Sequence, residues 1–298
     1  MSTALQPVSE APMSEAARSR NTRIGIGLCL MSMFVFAAQD GITKILVKDL
    51  PVVQLIMVRY WFFLLFALCF VHVKGGLGNA LKTAHPWLQM SRSLIAVFDI
   101  MVFGLALRFL GLAETHAIYA IFPLLTMGLA ALLLRESVSS RQCVAGVIGF
   151  AGTLIILKPG MGVFSLTSLI PLAGAVMFAF FSVLTRKIST VDSFGTNILY
   201  MAFWGALAST LFGVPQWVTP SPMEVVLLLV LSVSGVIAQL LLLQALKYAA
   251  AVTLQPFNYS LLLFASIFGV TVFGETLQTS LVVGALLVVL GGIYAFKR

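Results

Sequence analysis

Asp40 and Lys44 stand four residues apart in the apolar stretch FAAQDGITKILV, and Arg59 stands alone in LIMVRYWFFLL. Residues at i and i+4 share a helix face. The Asp40/Lys44 pair therefore reads either as a local ion pair with Lys44 snorkelling to an interface, or as a carboxylate facing a cavity and binding a proton or a cationic solute group. Arg59 must find a carboxylate, a carbonyl or water. Asp40 is the obvious partner if the two stretches form adjacent antiparallel helices, either as a structural bridge or as a binding pair. Asp99, in AVFDIMVFG, has no basic residue within one turn. It is the leading candidate for a carboxylate that binds a proton or contacts a solute. Its competing reading is a cap on a broken neighbouring helix. Arg92, seven residues earlier, reads as a snorkelling cation.

A second group is polar and aromatic. It comprises Glu114, Thr115, His116 and Tyr119 in one segment, and Thr253, Gln255, Asn258 and Tyr259 in another. Side chains of this kind at matching depth suit a cavity that hydrogen-bonds a solute. Pro123 and Pro256 free backbone carbonyls nearby. His116 reads equally as a packing residue, and Gln239 and Gln244 as glue between helices. We take Asp40, Lys44, Arg59, Asp99, His116, Tyr119, Gln239, Gln255, Asn258 and Tyr259 as the candidate binding or coupling residues. Catalytic signatures are absent. His72, His85 and His116 are too dispersed for a metal site, and no HExxH, GxSxG or GxxxxGK[ST] motif occurs. No cofactor is expected. Cys29, Cys69 and Cys143 all sit in apolar runs and read as free thiols.

The medium around these residues follows from composition. The chain has 298 residues, 60% hydrophobic and only 9% charged. A soluble domain carries about 25% charged residues, so this chain cannot clothe itself in a polar shell. The net charge of +8 is scattered in ones and twos, which argues against nucleic acid as a partner. The expected partners are membrane lipid and a small organic solute, and nothing in the sequence fixes an oligomeric state.

A spanning helix needs about 20 mostly apolar residues. Ten candidate spans follow a polar tail at 1–23: 24–46, 52–73, 87–107, 114–134, 142–157, 166–186, 195–213, 223–246, 251–273 and 279–296. A signal peptide is the rival reading of residues 1–40, and the helix pattern running on through Asp40 and Lys44 argues against it. Counting Lys and Arg in loops places both termini in the cytoplasm. Trp61, Trp87, Trp204 and Trp217 read mainly as interfacial anchors.

The two halves repeat. Ala106-Leu107-Arg108-Phe109 matches Ala245-Leu246-Lys247-Tyr248, and the same offset pairs Glu136 with Glu275, Gly152 with Gly291 and Lys158 with Lys297. Thr43-Lys44 matches Thr185-Arg186. Five spans per copy is an odd number, so the second copy enters the membrane from the opposite face. The expected fold is an all-α membrane protein of ten transmembrane helices in two inverted five-helix repeats, 24–160 and 161–298. Glu136 and Glu275 read as caps on the helices that follow them.

Two five-helix halves, each with a Glu-bearing turn (LLLRESVSSRQCVAG and FGETLQTSLVVGA), together with Gly146-x-x-Gly149-x-x-Gly152 and Leu157-Lys158-Pro159-Gly160, resemble the EamA-type drug/metabolite transporter superfamily. The resemblance spans about 24–298. It implies a non-enzymatic secondary transporter in the cytoplasmic membrane, moving a small organic metabolite by alternating access. Coupling to an ion or proton, or exchange, is implied. The Asp40/Lys44 and Arg59 pattern looks more like members that take up riboflavin or S-adenosylmethionine than like aromatic amino-acid exporters. The alternatives are export rather than import, and an intramembrane enzyme acting on a lipid-like substrate.

Overall fold

The computed structural model describes residues 15–74, 76–109, 115, 118–157, 166–273 and 279–296. Regular structure among them is helical. In the first half α1 spans Glu15–Leu46, α2 Val52–Lys74, the single turn α3 Leu77–Ala80, α4 Pro86–Phe109, α5 Phe122–Leu134 and α6 Ser140–Leu157. In the second half α7 spans Leu169–Ser189, α8 Phe194–Gly213, α9 Pro222–Tyr248, α10 Ala251–Asn258, α11 Ser260–Phe273 and α12 Thr279–Phe296. Among the described residues, seven membrane-length segments are long and apolar enough to cross a bilayer, the seventh running through α10 and α11. Three shorter apolar helices lie at Phe122–Leu134, Ser140–Ile155 and Val282–Ala295. Large apolar side chains such as Leu65, Leu132 and Leu286 point outward, as a lipid-facing surface requires.

One boundary departs from the sequence reading. The expected tail was 1–23, but α1 is already helical at Glu15. Glu15, Ala16 and Ala17 explain the early start. Alanine is the best helix former, and a carboxylate in the first turn complements the helix dipole.

Helix pairing follows the repeat. α1 packs on α9 and α4 on α7; α1 packs on α11 and α5 on α7; α2 packs on α9 and α4 on α8. Each of these pairings is the exchanged copy of the other. The helices that meet their own counterparts are α2 with α8, α5 with α10, and α6 with α12. Such reciprocity is the signature of a pseudo-two-fold between halves. Glycine permits the closest approaches. A Cβ on Gly152 would meet the Gly284 carbonyl oxygen at 2.8 Å, and one on the repeat-related Gly291 would meet the Ala145 carbonyl oxygen at 3.0 Å.

The fourth helix of each half is interrupted. The chain turns at Ala120 and Ile121 before α5, with Pro123 in its first turn. In the second half Pro256 lies inside α10, which ends at Asn258, and Tyr259 separates it from α11. Ala120 and Tyr259 are repeat equivalents and share one buried cluster. Proline removes a backbone donor and crowds the preceding turn, which accounts for the breaks.

Candidate functional site

A cavity of about 240 Å³ lies between the halves. Each half contributes to its walls: Met33, Phe36, Gln39, Asp40 and Thr43 of α1, Arg59, Tyr60 and Phe63 of α2, Asp99 and Phe103 of α4, then Phe178, Phe181, Met201, Gly235, Gln239 and Leu242 of the second half. Aromatic rings dominate. Tyr119 meets Phe103 edge-on at 5.1 Å between centroids, and Phe122 meets Phe178 at 4.8 Å. These spacings favour offset and T-shaped packing and also suit a planar ligand. Asp40 is exposed, six residues before the end of α1. The cavity therefore opens toward the face on which α1 ends.

Asp99 is only 4% exposed. Both its oxygens accept from the Tyr119 hydroxyl, Oδ1 at 3.1 Å and Oδ2 at 2.9 Å. Gly174 of α7 makes room for this pair, since a Cβ there would lie 3.3 Å from Asp99 Oδ1 and from Tyr119 Cε2. Sequence spacing cannot show this meeting, because the two residues sit on different helices.

Arg59 does not close the expected ion pair with Asp40. Its Nη2 donates to Gln39 Oε1 at 2.7 Å instead. Register explains the difference. Both helices pack on α9, and Gln39, 2% exposed, is the α1 residue whose amide oxygen reaches Arg59, whereas its neighbour Asp40 is exposed and lines the cavity. Asp40 and Arg59 thus share one lining without direct contact. Gly235 accommodates the guanidinium, because a Cβ there would sit 3.2 Å from Nε and Nη2.

Of the ten candidates, the structure brings Asp40, Arg59, Asp99, Tyr119 and Gln239 to this cavity. Gln239 Nε2 also lies 3.5 Å from Met201 Sδ. Gln255 and Asn258 are elsewhere. Gln255 Nε2 donates to the Ala251 carbonyl at 3.1 Å, Asn258 Nδ2 to Gln255 Oε1 at 2.8 Å, and Cys29 Sγ to Asn258 Oδ1 at 3.1 Å. Their polar groups are spent on the interrupted helix and on α1, so they bind α10 into the core. Tyr259 is buried beside them. The Asn258–Tyr259 turn borders a minor void of about 20 Å³ together with Tyr119 and Phe122. His116, Glu114, Lys158, Glu275 and the side chain of Lys44 lie outside the described residues. Sequence reasoning missed Gln39 and the aromatic walls. Pairs at i, i+3 such as Tyr60/Phe63 and Phe178/Phe181 carried a weak signal.

The opposite face is tied shut between halves. Arg92 does not snorkel; it is 0% exposed. Its Nη2 donates to Gln89 Oε1 and to the Asn197 carbonyl, both at 2.8 Å. Gln89 Nε2 donates to Asp192 Oδ2 at 2.8 Å and to Asn197 Oδ1 at 2.7 Å. Asp192 also accepts from Thr83 Oγ1 and from the Ala84 amide. Burial raises the Asp192 pKa, but these hydrogen bonds outweigh it and hold the carboxyl below its ordinary range. The Arg92 bonds hold the guanidinium inside the protein although its Nε has no partner among the described residues.

Beside it, Arg186 Nε bonds Glu136 Oε1 at 3.1 Å while Nη1 donates to the carbonyls of Leu246 and Lys247. Glu136 Oε2 accepts from the Val252 amide at 3.2 Å. Glu136 therefore caps α10 of the second half, not the following helix α6 as expected. The left-handed backbone of Arg135, φ 54°, ends α5 just before it.

A curated relative named S-adenosylmethionine uptake transporter, from Rickettsia prowazekii, is 28% identical over 265 residues, 88% of this chain and 90% of its own. One named riboflavin transporter, from Vibrio cholerae, is 31% identical over 72% of this chain and 73% of its own. A solved crystal structure superposes with a TM-score of 0.80 at 20% identity, covering 93% of this chain and 98% of that one. The profile of the EamA-like transporter family matches residues 23–158 and 165–296, one copy per half. The chain is a multi-pass membrane protein of the EamA-like transporter family.

Proposed function

We propose that this chain takes up a small, positively charged metabolite bearing a planar ring across the cytoplasmic membrane. The observation that carries the reading is one aromatic-walled cavity between the halves, lined by two carboxylates, Asp40 and Asp99, and one guanidinium, Arg59. Aromatic faces attract cations and stack on rings. Among the named relatives, S-adenosylmethionine is a sulfonium cation with an adenine ring, and riboflavin is neutral. A carboxylate-rich cavity supports the first.

Transport is secondary and proceeds by alternating access. The inverted halves rock about the site, the cavity's open face being external and the Arg92 and Glu136 networks closing the cytoplasmic side. The excess of Lys and Arg in loops on the terminal face supports that orientation. Asp99 trades a proton for the solute's positive centre, so binding weakens on acidification. Tyr119 steadies its carboxylate. Gln239 forms the floor, and Gln255, Asn258 and Tyr259 support the broken helix.

The test is counterflow in proteoliposomes holding the full chain. Labelled S-adenosylmethionine and labelled riboflavin are supplied outside, with the same unlabelled compound inside. Transient accumulation of S-adenosylmethionine but not riboflavin is expected. Accumulation of neither refutes the reading, and accumulation of riboflavin alone moves the substrate to the neutral class.

A further inference from the structure

We infer that Arg59 and Gln39 form a carboxylate-reading subsite at one end of the cavity, so that the solute is a cation carrying one carboxylate, as an amino-acid group does. The inference rests on the transport reading above and narrows its substrate.

Three observations meet here. First, Arg59 lines the cavity, and its hydrogen bond among the described residues goes to a neutral acceptor, Gln39 Oε1 at 2.7 Å. A guanidinium at membrane depth with no anion in direct contact invites one from the ligand. Second, Gln39 is 2% exposed, and its Nε2 has no partner. The amide cannot be turned to relieve this, because its oxygen must face the donating Arg59. A buried unpaired donor is costly, and a ligand oxygen removes the cost. Third, a guanidinium has donors only, and those Arg59 does not give to Gln39 select a group that only accepts.

Charge decides between acceptors. The described charged residues lining the cavity are Asp40, Asp99 and Arg59, two negative charges and one positive. The complement is a solute with two positive centres and one negative. A dianionic phosphate meets repulsion from both aspartates, whereas a single carboxylate accompanied by an ammonium and a second cationic centre matches group for group.

The experiment compares S-adenosylmethionine with its decarboxylated analogue, which keeps the ring, the sulfonium and the amine. Each competes against labelled S-adenosylmethionine in counterflow on the wild type, Arg59→Gln, Arg59→Lys and Gln39→Leu. Loss of a charge-assisted pair weakens binding by about tenfold or more, so the analogue competes that much more weakly on the wild type. Arg59→Gln and Gln39→Leu reduce the discrimination toward unity while still binding the analogue, which shows that they are folded. Arg59→Lys, a point charge without the fork, falls between. Equal competition on the wild type, or undiminished discrimination in both neutral variants, overturns the subsite.

A chain that moves no S-adenosylmethionine refutes the transport reading separately. The subsite is then judged by melting-temperature shifts with phenylalanine against phenethylamine. No preference of the wild type for phenylalanine, or a preference unchanged in Arg59→Gln, overturns it.

Discussion

Both carboxylate oxygens of Asp99 accept from the Tyr119 hydroxyl at the cavity wall. Replacing Asp99 with Asn keeps the shape and the acceptor oxygen but removes both the charge and the titration. Asp99→Asn should abolish solute uptake and its pH dependence while the protein stays in the membrane. Unchanged uptake and pH dependence would remove Asp99 from the mechanism. Tyr119→Phe deletes both bonds to the carboxylate and should weaken binding by about tenfold, with the melting temperature little changed. At this scale the sequence was informative wherever a charge interrupted an apolar run, as at Asp40, Arg59 and Asp99. It was silent on the walls, because 23 phenylalanines give no sign of which face a cavity. It misdirected at Gln255 and Asn258, whose polarity serves the bonds of their own interrupted helix and Cys29. Gln39 was hidden beside Asp40: adjacent helix positions point about 100° apart, and only the folded chain, in which α1 and α2 both pack on α9, shows which one meets Arg59.

Among the elements, the α2–α8 crossing is the least forgiving. A Cβ on Gly205 would lie 2.1 Å from Tyr60 Cε1, and Tyr60 lines the cavity. Gly205→Ala should cost about 1–3 kcal/mol of stability and reduce transport, both read on purified protein; an unchanged melting temperature contradicts the crossing. The terminal-face network has a pH signature. The Asp192 carboxyl is held below its ordinary value, so its stabilisation is present above the unfolded-chain pKa of about 3.9 and is lost as pH falls through the lower folded value. Asp192→Asn should melt earlier than the wild type at pH 7, and the gap should narrow as the pH falls below about 3.9. A gap independent of pH would mean that the charge plays no part. Element positions were legible from the spacing of apolar runs, and the helix breaks from Pro123 and Pro256. The start of α1 was misplaced because charged residues there masked good helix formers. The partner of Glu136 was misassigned because a cap supplied to the other half leaves no local pattern.

Two halves related by an exchange of helix pairings can adopt two states by exchanging which face they close. The networks at Arg92 and Glu136 hold one face, and the cavity opens at the other. The two-copy plan, which the family profile matches with one copy in each half, was readable from Glu136/Glu275 and Gly152/Gly291 at one offset. The cavity itself was not, because its walls come from helices of both halves. Orientation can be checked with reporters fused after Arg298 and within 74–86, both expected to register as cytoplasmic. The most direct test is uptake of labelled S-adenosylmethionine, driven by a proton gradient with the lumen acidic, into proteoliposomes by the wild type and by the double variant Asp40→Asn/Asp99→Asn, matched for amount and melting temperature. The account predicts accumulation by the wild type and none above empty liposomes by the variant. Equal accumulation by both would show that the solute does not pass between these two carboxylates.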